Sequence, residues 1–240
     1  MAGVYDEIVV DPCYARWATF LHQLWSPDEV GVSDVLDVCC GTGLMASELV
    51  SLGYRVVGVD ASAPMLARAR DLLGPDVELL EQTLPQLTVE GVFDAAISTF
   101  DGLNYLEPTD LTETLVAVAQ RLRPGGWIVF DLHTDAMMEF TAANPNVHGS
   151  DHGHEFSIAS TIDVQARTCD TRVEVTRTVD GDTFVEEHRQ YFFTDSHVRV
   201  GLIEAGFEQI VVTDEYSDTP ADDATFRATW IARLAQPHQR

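Results

Sequence analysis

The spacing of apolar residues divides the chain into a long α/β part and a shorter β part. Short apolar runs, typical of buried parallel strands, occur at VLDV, VVGV, VELL, FDAAIS and WIVFDL, and segments with helical periodicity separate them. From residue 156 to 194 apolar and polar residues alternate, which indicates antiparallel strands. Two later runs, EQIVVTDE and TFRATWIARL, bring the main sheet to seven strands. The pattern therefore predicts an α/β fold: a doubly wound, seven-stranded, mostly parallel sheet with a small antiparallel β insertion at residues 155–195.

A glycine-bearing turn joins the first two strands. The stretch VLDVCCGTGLMA and the run VVGVDAS together form a βαβ unit of about thirty residues. Gly41 and Gly43 let the backbone approach a ligand closely, and the turn brings the N-terminus of the next helix to the same place. Asp60 ends the second strand, where a carboxylate can accept hydrogen bonds from both hydroxyls of a ribose. These residues predict a nucleoside-binding site.

Asp37 distinguishes between two classes of ligand that fit this unit. The glycine spacing also matches a dinucleotide-binding pattern, but Asp37 lies inside the first strand, four residues before Gly41. In a cleft of low dielectric constant its carboxylate would repel a pyrophosphate and attract the ammonium or sulfonium of S-adenosylmethionine. The acid therefore favours the methyl donor. The alternative is that Asp37 caps a turn and that Asp60 is an exposed strand end.

The carboxyl ends of the fourth and fifth strands supply candidate reaction chemistry. The loop that begins at Phe100 lies at the switch point where open α/β sheets bind ligands. The strand WIVFDLHT ends in Asp131 and His133, which alternation places on one side, so the acid is expected to orient the imidazole or raise its pKa. His133 is the candidate proton acceptor, and a purely positional role is the alternative.

Composition narrows the class of partner. With 240 residues, 45% of them hydrophobic, and no internal repeat, the chain is expected to form a single domain over residues 1–240. A formal net charge of −25 argues against nucleic acid and anionic membranes as partners. The sequence shows neither an apolar run near twenty residues nor a basic region before an apolar one, so we expect a cytoplasmic protein without a membrane span.

One segment has metal-ligand spacing. It runs from His148 through Asp151 and His152 to His154 and Glu155. A flexible loop rich in glycine rarely fixes metal ligands without further support, and methyl transfer from a sulfonium needs no metal. We therefore expect no metal site.

Several motifs resemble those of the class I S-adenosylmethionine-dependent methyltransferases. They are LDVCCGTG, VVGVDASAPMLARAR, FDAAISTFDGLNYL, LRPGGWIVFDLHT and LIEAGF, and the resemblance extends from about Tyr5 to the C-terminus. It implies a Rossmann-like methyltransferase fold with an antiparallel strand between residues 225 and 234, and S-adenosylmethionine as cofactor. The donor contacts that it implies are Tyr5, Asp37, Cys39, Gly41, Gly43, Asp60, Ala61, Met65, Thr83, Leu84, Thr99 and Phe100.

Two positions depart from the pattern of that family. Cys39 stands where the loop usually has its first glycine or alanine, which leaves the backbone less room. Gln82 and Thr83 stand where a glycine–aspartate pair usually reaches the adenine. The adenine contact is therefore weakened, or moved to Thr83 or a backbone amide.

By the same resemblance, residues 1–30 form a helical lid over the donor, and Tyr14 becomes a second catalytic candidate. The insertion would cover the site and build the acceptor pocket. Tyr105, Arg189 and Tyr191 are the candidate substrate contacts, and Arg189 and Tyr191 alternate onto one face of their strand. The alternative is that these two are ordinary sheet residues.

The sequence thus predicts methyl transfer from S-adenosylmethionine to a nitrogen of a small-molecule acceptor by in-line displacement. It is most like N-methyltransferases of amino sugars and small amines. The alternatives are an O-methyltransferase of a specialised metabolite, a non-catalytic nucleoside-binding relative and a dinucleotide oxidoreductase. A homodimer is left open.

Overall fold

The computed structural model describes residues 13–28, 31–151 and 153–236. Its strands are β1 (Asp34–Val38), β2 (Arg55–Asp60), β3 (Glu78–Glu81), β4 (Phe93–Ser98), β5 (Leu122–His133), β6 (Asn146–Asp151), β7 (His154–Asp163), β8 (Thr168–Arg177), β9 (Thr183–Tyr191), β10 (Phe207–Asp214) and β11 (Arg227–Leu234). Its α-helices are α1 (Cys13–Trp25), α2 (Leu44–Ser51), α3 (Ala63–Leu73), α4 (Pro108–Ala119), α5 (Asp135–Ala143) and α6 (Asp195–Glu204), and a short 3-10 helix covers Gly102–Tyr105.

The main sheet has the predicted seven strands, in the order β10-β11-β5-β4-β1-β2-β3. β1 pairs in parallel with β2 and β4, whereas β11 runs antiparallel to both β5 and β10. The doubly wound α/β fold and its antiparallel strand are therefore confirmed. Because the strand order reverses between β1 and β4, a cleft opens at their carboxyl ends, and open α/β sheets bind ligands at such a point.

Helices cover both faces of the sheet, which explains why the strands read as continuous apolar runs. β4 is buried at all of its positions, since it lies between two core clusters. On one face α1 and α2 contribute Trp17, Leu21 and Leu49. On the other face α4 and α6 contribute Leu115 and Leu202. No helix in the described ranges has the length and apolarity needed to cross a membrane.

The antiparallel insertion is larger than the sequence predicts. It forms a second sheet in the order β6-β7-β8-β9, so it begins at Asn146 instead of residue 155. β6 occupies part of the segment that was expected to be a glycine-rich loop, because its residues pair with β7 from Asn146 to Asp151. One face of this sheet packs on the body of the protein through Cys169, which contacts Met138 of α5.

A buried carboxylate of β5 accepts a hydrogen bond from the turn between β10 and β11. Asp131 of β5 is fully buried, and Tyr216, in the turn before β11, donates its hydroxyl hydrogen bond to Asp131 Oδ1 at 2.7 Å. Burial raises the pKa of Asp131 to about 6, so the carboxylate is ionised at pH 8.

We expect Tyr216→Phe to lower the free energy of unfolding at pH 8 by about 1.5 to 3 kcal/mol, since hydrogen bonds to charged groups contribute about that much. Urea denaturation measures this change. Tyr54→Phe is the matched control, because the Tyr54 hydroxyl meets Nδ1 of His22 at 2.8 Å on the surface and its loss should cost less. Equal losses in the two variants would contradict a special role for the Tyr216–Asp131 bond.

Candidate active site

Asp37 is buried near the carboxyl end of β1, at the switch point of the sheet. It is 1% exposed, and neither of its carboxylate oxygens has a hydrogen-bond partner among the described residues. Burial, together with the negative charge of Asp60, raises the pKa of Asp37 to about 8. An isolated carboxyl in this environment holds a proton at neutral pH and becomes a strong ligand for a cation once the proton leaves.

The glycine turn presents its backbone to the same cleft. At Gly41, whose φ is 56°, an added Cβ would meet no atom within 4 Å, so the space above the turn is open. At Gly43, whose φ is 83°, an added Cβ would lie 2.8 Å from the Leu73 side chain of α3. One glycine therefore leaves room for a ligand, and the other allows α2 and α3 to approach each other.

Asp60 connects this turn to the end of β2. Its Oδ2 accepts a hydrogen bond from the backbone N–H of Gly41 at 2.9 Å, and its Oδ1 accepts one from the N–H of Ser62 at 2.8 Å. A carboxylate has about four lone-pair positions, so each oxygen can accept one more hydrogen bond. This arrangement suits the two hydroxyls of a ribose.

Cys39 adopts the backbone that the family usually gives to a small residue. Its φ is 60°, a left-handed conformation that costs a residue with a Cβ roughly 1–2 kcal/mol. Its side chain lies against Gly102, where an added Cβ would be 2.8 Å from Cys39 Cβ. The extra volume at Cys39 is therefore accommodated by a glycine on the facing segment.

That facing segment, residues 99–105, is called the switch loop below. Thr99 is buried, and Phe100 and Asp101 both have left-handed backbone, with φ of 62° and 51°. The N–H of Phe100 donates to Asp131 Oδ1 at 2.8 Å, and the N–H of Asp101 donates to Oδ2 at 2.7 Å. Asp131 thus holds the switch loop in a conformation that non-glycine residues seldom adopt.

His133 follows on β5 and faces a different acid from the one expected. Its Nε2 lies 3.5 Å from Asp101 Oδ1, whereas the oxygens of Asp131 are occupied by the switch loop and Tyr216. Burial lowers the pKa of His133, Asp101 opposes this effect and Arg227 adds to it. Of the two effects expected of Asp131, orienting the imidazole or raising its pKa, the raised pKa is therefore wrong, because desolvation outweighs the charge of Asp101, the acid that His133 faces. His133 is neutral at pH 7.

Arg227 completes the cluster from β11. Its guanidinium lies 3.0 Å from Asp101 Oδ1 and 3.2 Å from Asp131 Oδ2, and its Cζ lies 4.7 Å from the centre of the Phe100 ring. Tyr14 of α1 stacks on Phe100, with 5.8 Å between ring centres. The aromatic wall and the ion pairs together fix the switch loop beside the cleft.

Comparisons with known proteins agree with this geometry. The family described as "Methyltransferase domain" matches residues 35–126. A protein of Geobacillus sp. (strain WCH70) that bears the name methyltransferase is 27% identical over 239 residues, which cover 95% of this chain and 96% of the relative. The dTDP-3-amino-3,4,6-trideoxy-alpha-D-glucopyranose N,N-dimethyltransferase of Streptomyces venezuelae is 30% identical over 133 residues, 54% of this chain and 56% of that one.

A comparison of folds agrees with these sequence matches. A S-adenosylmethionine-dependent methyltransferase from Clostridium acetobutylicum superposes with a TM-score of 0.85 at 23% identity, over 98% of this chain and 97% of that chain. Residues 35–126 therefore carry a methyltransferase domain, and the whole chain has the fold of S-adenosylmethionine-dependent methyltransferases. The methyltransferase has residues that fit this donor, since the unpartnered Asp37 suits its positive charges and the open space at Gly41 suits its backbone contacts.

The other expected donor contacts lie at the carboxyl ends of β2 and β3. Ala61 is exposed, and Met65 is half-buried in the first turn of α3. Thr83 is exposed and Leu84 is half-buried after β3. The side chain of Gln82, at the glycine position of the family's glycine–aspartate pair, accepts a hydrogen bond from the N–H of Thr88 at 2.8 Å. Tyr5 lies outside the described residues.

The two expected acceptor contacts in the insertion, Arg189 and Tyr191, lie on one face of β9. Arg189 is exposed and pairs with Asp170 at 2.6 Å, on the face opposite to Gln190. Gln190 instead donates from Nε2 to Asp101 Oδ2 at 2.7 Å. The position of Arg189 therefore gives no support to its predicted substrate contact, because the neighbouring residue points to the site.

The other two expected acceptor contacts are Tyr105 and Tyr191. Tyr105 is 47% exposed and its ring lies 5.7 Å from the ring of His188. The hydroxyl of Tyr191 lies 3.4 Å from Glu107. No group of His, Cys, Asp and Glu in the described ranges has the geometry to hold a metal ion.

Sequence reasoning missed Asp101, Gln190 and Arg227 as members of the site. Asp101 carries a usable signal, since it is an acid in the switch loop of an α/β sheet. Arg227 carries none, because an arginine in a strand near the end of the chain is usually an exposed residue.

Binding of the donor should release a proton. Asp37 is protonated below about pH 8 in the free methyltransferase, and the positive charges of S-adenosylmethionine favour its ionised form. Donor affinity should therefore rise with pH, by up to about tenfold per unit, and level off above pH 8. Titration calorimetry in two buffers of different ionisation enthalpy measures the released proton. Asp37→Asn should bind more weakly and without this pH dependence, and equal slopes in the two proteins would contradict the role of Asp37.

Asp60→Asn should lower donor affinity at least tenfold, because charge-assisted hydrogen bonds contribute about 1.5 to 3 kcal/mol each. Titration calorimetry at pH 8 measures this loss, and circular dichroism confirms that the variant is folded. Glu90→Gln is the matched control, since Glu90 is an exposed acid in the loop before β4. Unchanged affinity in a folded Asp60→Asn protein would remove Asp60 from the site.

Proposed function

We propose that the protein methylates a nitrogen of a small-molecule acceptor, with His133 as the base that removes one proton. The observation that carries this proposal is an imidazole, 13% exposed and neutral at pH 7, at the carboxyl end of β5 next to the switch loop. General bases act best when they are unprotonated at the working pH and within reach of the acceptor. The similarity to an amino-sugar N,N-dimethyltransferase supports a nitrogen acceptor.

In this proposal one group of residues binds the donor, and His133 removes the proton. Bound S-adenosylmethionine supplies the methyl group, which the acceptor nitrogen takes as the carbon–sulfur bond breaks. Asp37 and the turn at Gly41 hold the methionine part, and Asp60 holds the ribose. Phe100 and the stacked Tyr14 form a wall that excludes water from one side of the cleft. His133 accepts the proton that leaves the acceptor nitrogen.

The acceptor reaches His133 from the side of the insertion. Gln190 brings β9 against Asp101, and Tyr105 and His188 line the neighbouring surface. We propose Tyr105 as an acceptor contact, since its ring lies beside His188 on the face of β9 that carries Gln190. The net charge of −25 favours a small neutral or cationic acceptor over a nucleic acid.

We also propose that the protein acts in the cytoplasm.

The acceptor class can be tested directly. Turnover with labelled S-adenosylmethionine should be measured on primary amines, secondary amines and phenols of matched size. Nitrogen acceptors should show the higher kcat/KM. A preference for phenols would favour an O-methyltransferase, which would use the same base, and donor binding without any turnover would favour a non-catalytic relative.

His133→Ala should lower kcat by about 10² to 10⁴ while leaving donor affinity nearly unchanged, because general bases contribute about that factor. Since His133 must be neutral to act, kcat/KM should fall as the pH drops below its lowered pKa, and the variant should lose this acidic limb. Single-turnover methyl transfer between pH 5 and 9 measures both effects. His22→Ala on α1 is the matched control. Rates within fivefold and parallel profiles would leave His133 with a packing role.

A further inference from the structure

Asp101 links the switch loop to three strands, β5, β9 and β11. Its N–H donates to Asp131 of β5, its Oδ2 accepts from Gln190 of β9, and its Oδ1 lies 3.0 Å from Arg227 of β11. The residue is 8% exposed, although a loop residue is normally solvated. With both oxygens held from opposite sides, the carboxylate has one orientation.

That orientation faces one nitrogen of His133. Asp101 Oδ1 lies 3.5 Å from His133 Nε2, which is longer than a direct hydrogen bond. Catalytic hydrogen bonds are often long before the substrate is bound, and a small rotation of the imidazole would shorten this one. The backbone N–H of His133 donates to Asn104 Oδ1 at 3.1 Å, so the residue that carries the ring is itself fixed to the switch loop.

We propose that Asp101 is a positioning residue that fixes the tautomer of His133, with the proton on Nε2 and the lone pair on Nδ1. The reason is that a carboxylate is only an acceptor, so the nitrogen beside it carries hydrogen and the other nitrogen is left as the base. This inference rests on the proposed role of His133 and adds which nitrogen acts and what selects it.

The charges around the pair support this assignment. Within the described ranges, Asp101 and His133 face one cation, Arg227, and one further buried acid, Asp131, whose oxygens already accept hydrogen bonds from the switch loop. Glu215 touches the far side of Arg227 at 3.2 Å. Arg227 lies 3.0 Å from Asp101 Oδ1 and therefore pairs with the carboxylate that His133 faces.

During methyl transfer one proton moves from the acceptor nitrogen to His133 and then to solvent. The acceptor nitrogen forms its bond to the methyl carbon and gives its proton to Nδ1 of His133, which becomes an imidazolium with hydrogen on both nitrogens. Asp101 stabilises this cation through Nε2–H without taking the proton itself. The proton leaves Nδ1 to solvent after the product departs, and the original tautomer returns.

The tautomer can be observed without any turnover. Nitrogen-15 NMR of the imidazole in the donor-bound protein at pH 8 should show His133 with hydrogen on Nε2. In Asp101→Asn the negative charge is lost, so the signals should move toward a mixture of tautomers and His133 should titrate at lower pH. We expect kcat to fall by about 10- to 100-fold in this variant with an unchanged Kd for the donor.

Two control variants separate this role from general support of the fold. Glu215→Gln removes another carboxylate from Arg227 but leaves Asp101 in place, and Asp170→Asn breaks the exposed ion pair with Arg189. Both should keep the tautomer and a kcat within about threefold of the parent protein.

The outcomes separate this inference from the proposed function. Hydrogen on Nδ1 in the parent protein overturns the inference even if Asp101→Asn fails to fold. An unchanged His133 tautomer in Asp101→Asn also overturns it, as does a change of tautomer in Glu215→Gln equal to that in Asp101→Asn. Unchanged turnover in His133→Ala instead overturns the role of His133 as the base.

Discussion

Arg227 is the one cation among the buried carboxylates of the switch loop, as far as the described residues show. Asp101 and Asp131 are 8% and 0% exposed, and both lie within 3.2 Å of its guanidinium. Moving two carboxylates out of water is expensive, and removal of one partner from a buried ion pair costs about 3–5 kcal/mol. Phe100 and Trp17 cover the guanidinium with their rings, which shields these ion pairs from solvent. The left-handed backbone of the switch loop depends on this compensation.

The insertion is connected to the reaction centre by two amide side chains. Asn104 is fully buried; its Nδ2 donates to the carbonyl of Tyr191 at 2.8 Å and its Oδ1 accepts from the N–H of His133. Gln190 makes the second connection, to Asp101. An amide both donates and accepts, so it can join two backbone or carboxylate groups that could not bond to each other. The same two amides therefore hold both β9, which would meet the acceptor, and the segment around His133, which would take the proton.

The sequence predicts the parallel core well because its signals are local. The run before Gly41, the acid at Asp60 and the alternation after residue 156 each lie within a few residues, and the structure contains the corresponding strands and turn. The site is less predictable, because its contacts join distant segments. Alternation placed Arg189 and Tyr191 on one face correctly, but it does not say which face covers the cleft, and Gln190 faces it instead.

The same reasoning explains the error at His133. Two acids lie near it, and a sequence cannot show how many hydrogen bonds each has already accepted or how much water the imidazole has lost. Asp131 is occupied by the backbone of Phe100 and Asp101, and burial outweighs the charge of Asp101 on the imidazole. A pKa direction depends on this balance, which only the packed structure provides.

The place of β11 in the chain has a consequence for synthesis. Arg227 follows Asp101 by 126 residues, so on the ribosome the loop and the strand that carry the two buried acids emerge long before their counter-charge. Until β11 pairs with β5, mutual repulsion and desolvation oppose the native shape of the switch loop. A nascent chain can therefore form much of its parallel sheet and its glycine turn while its reaction centre is still unassembled.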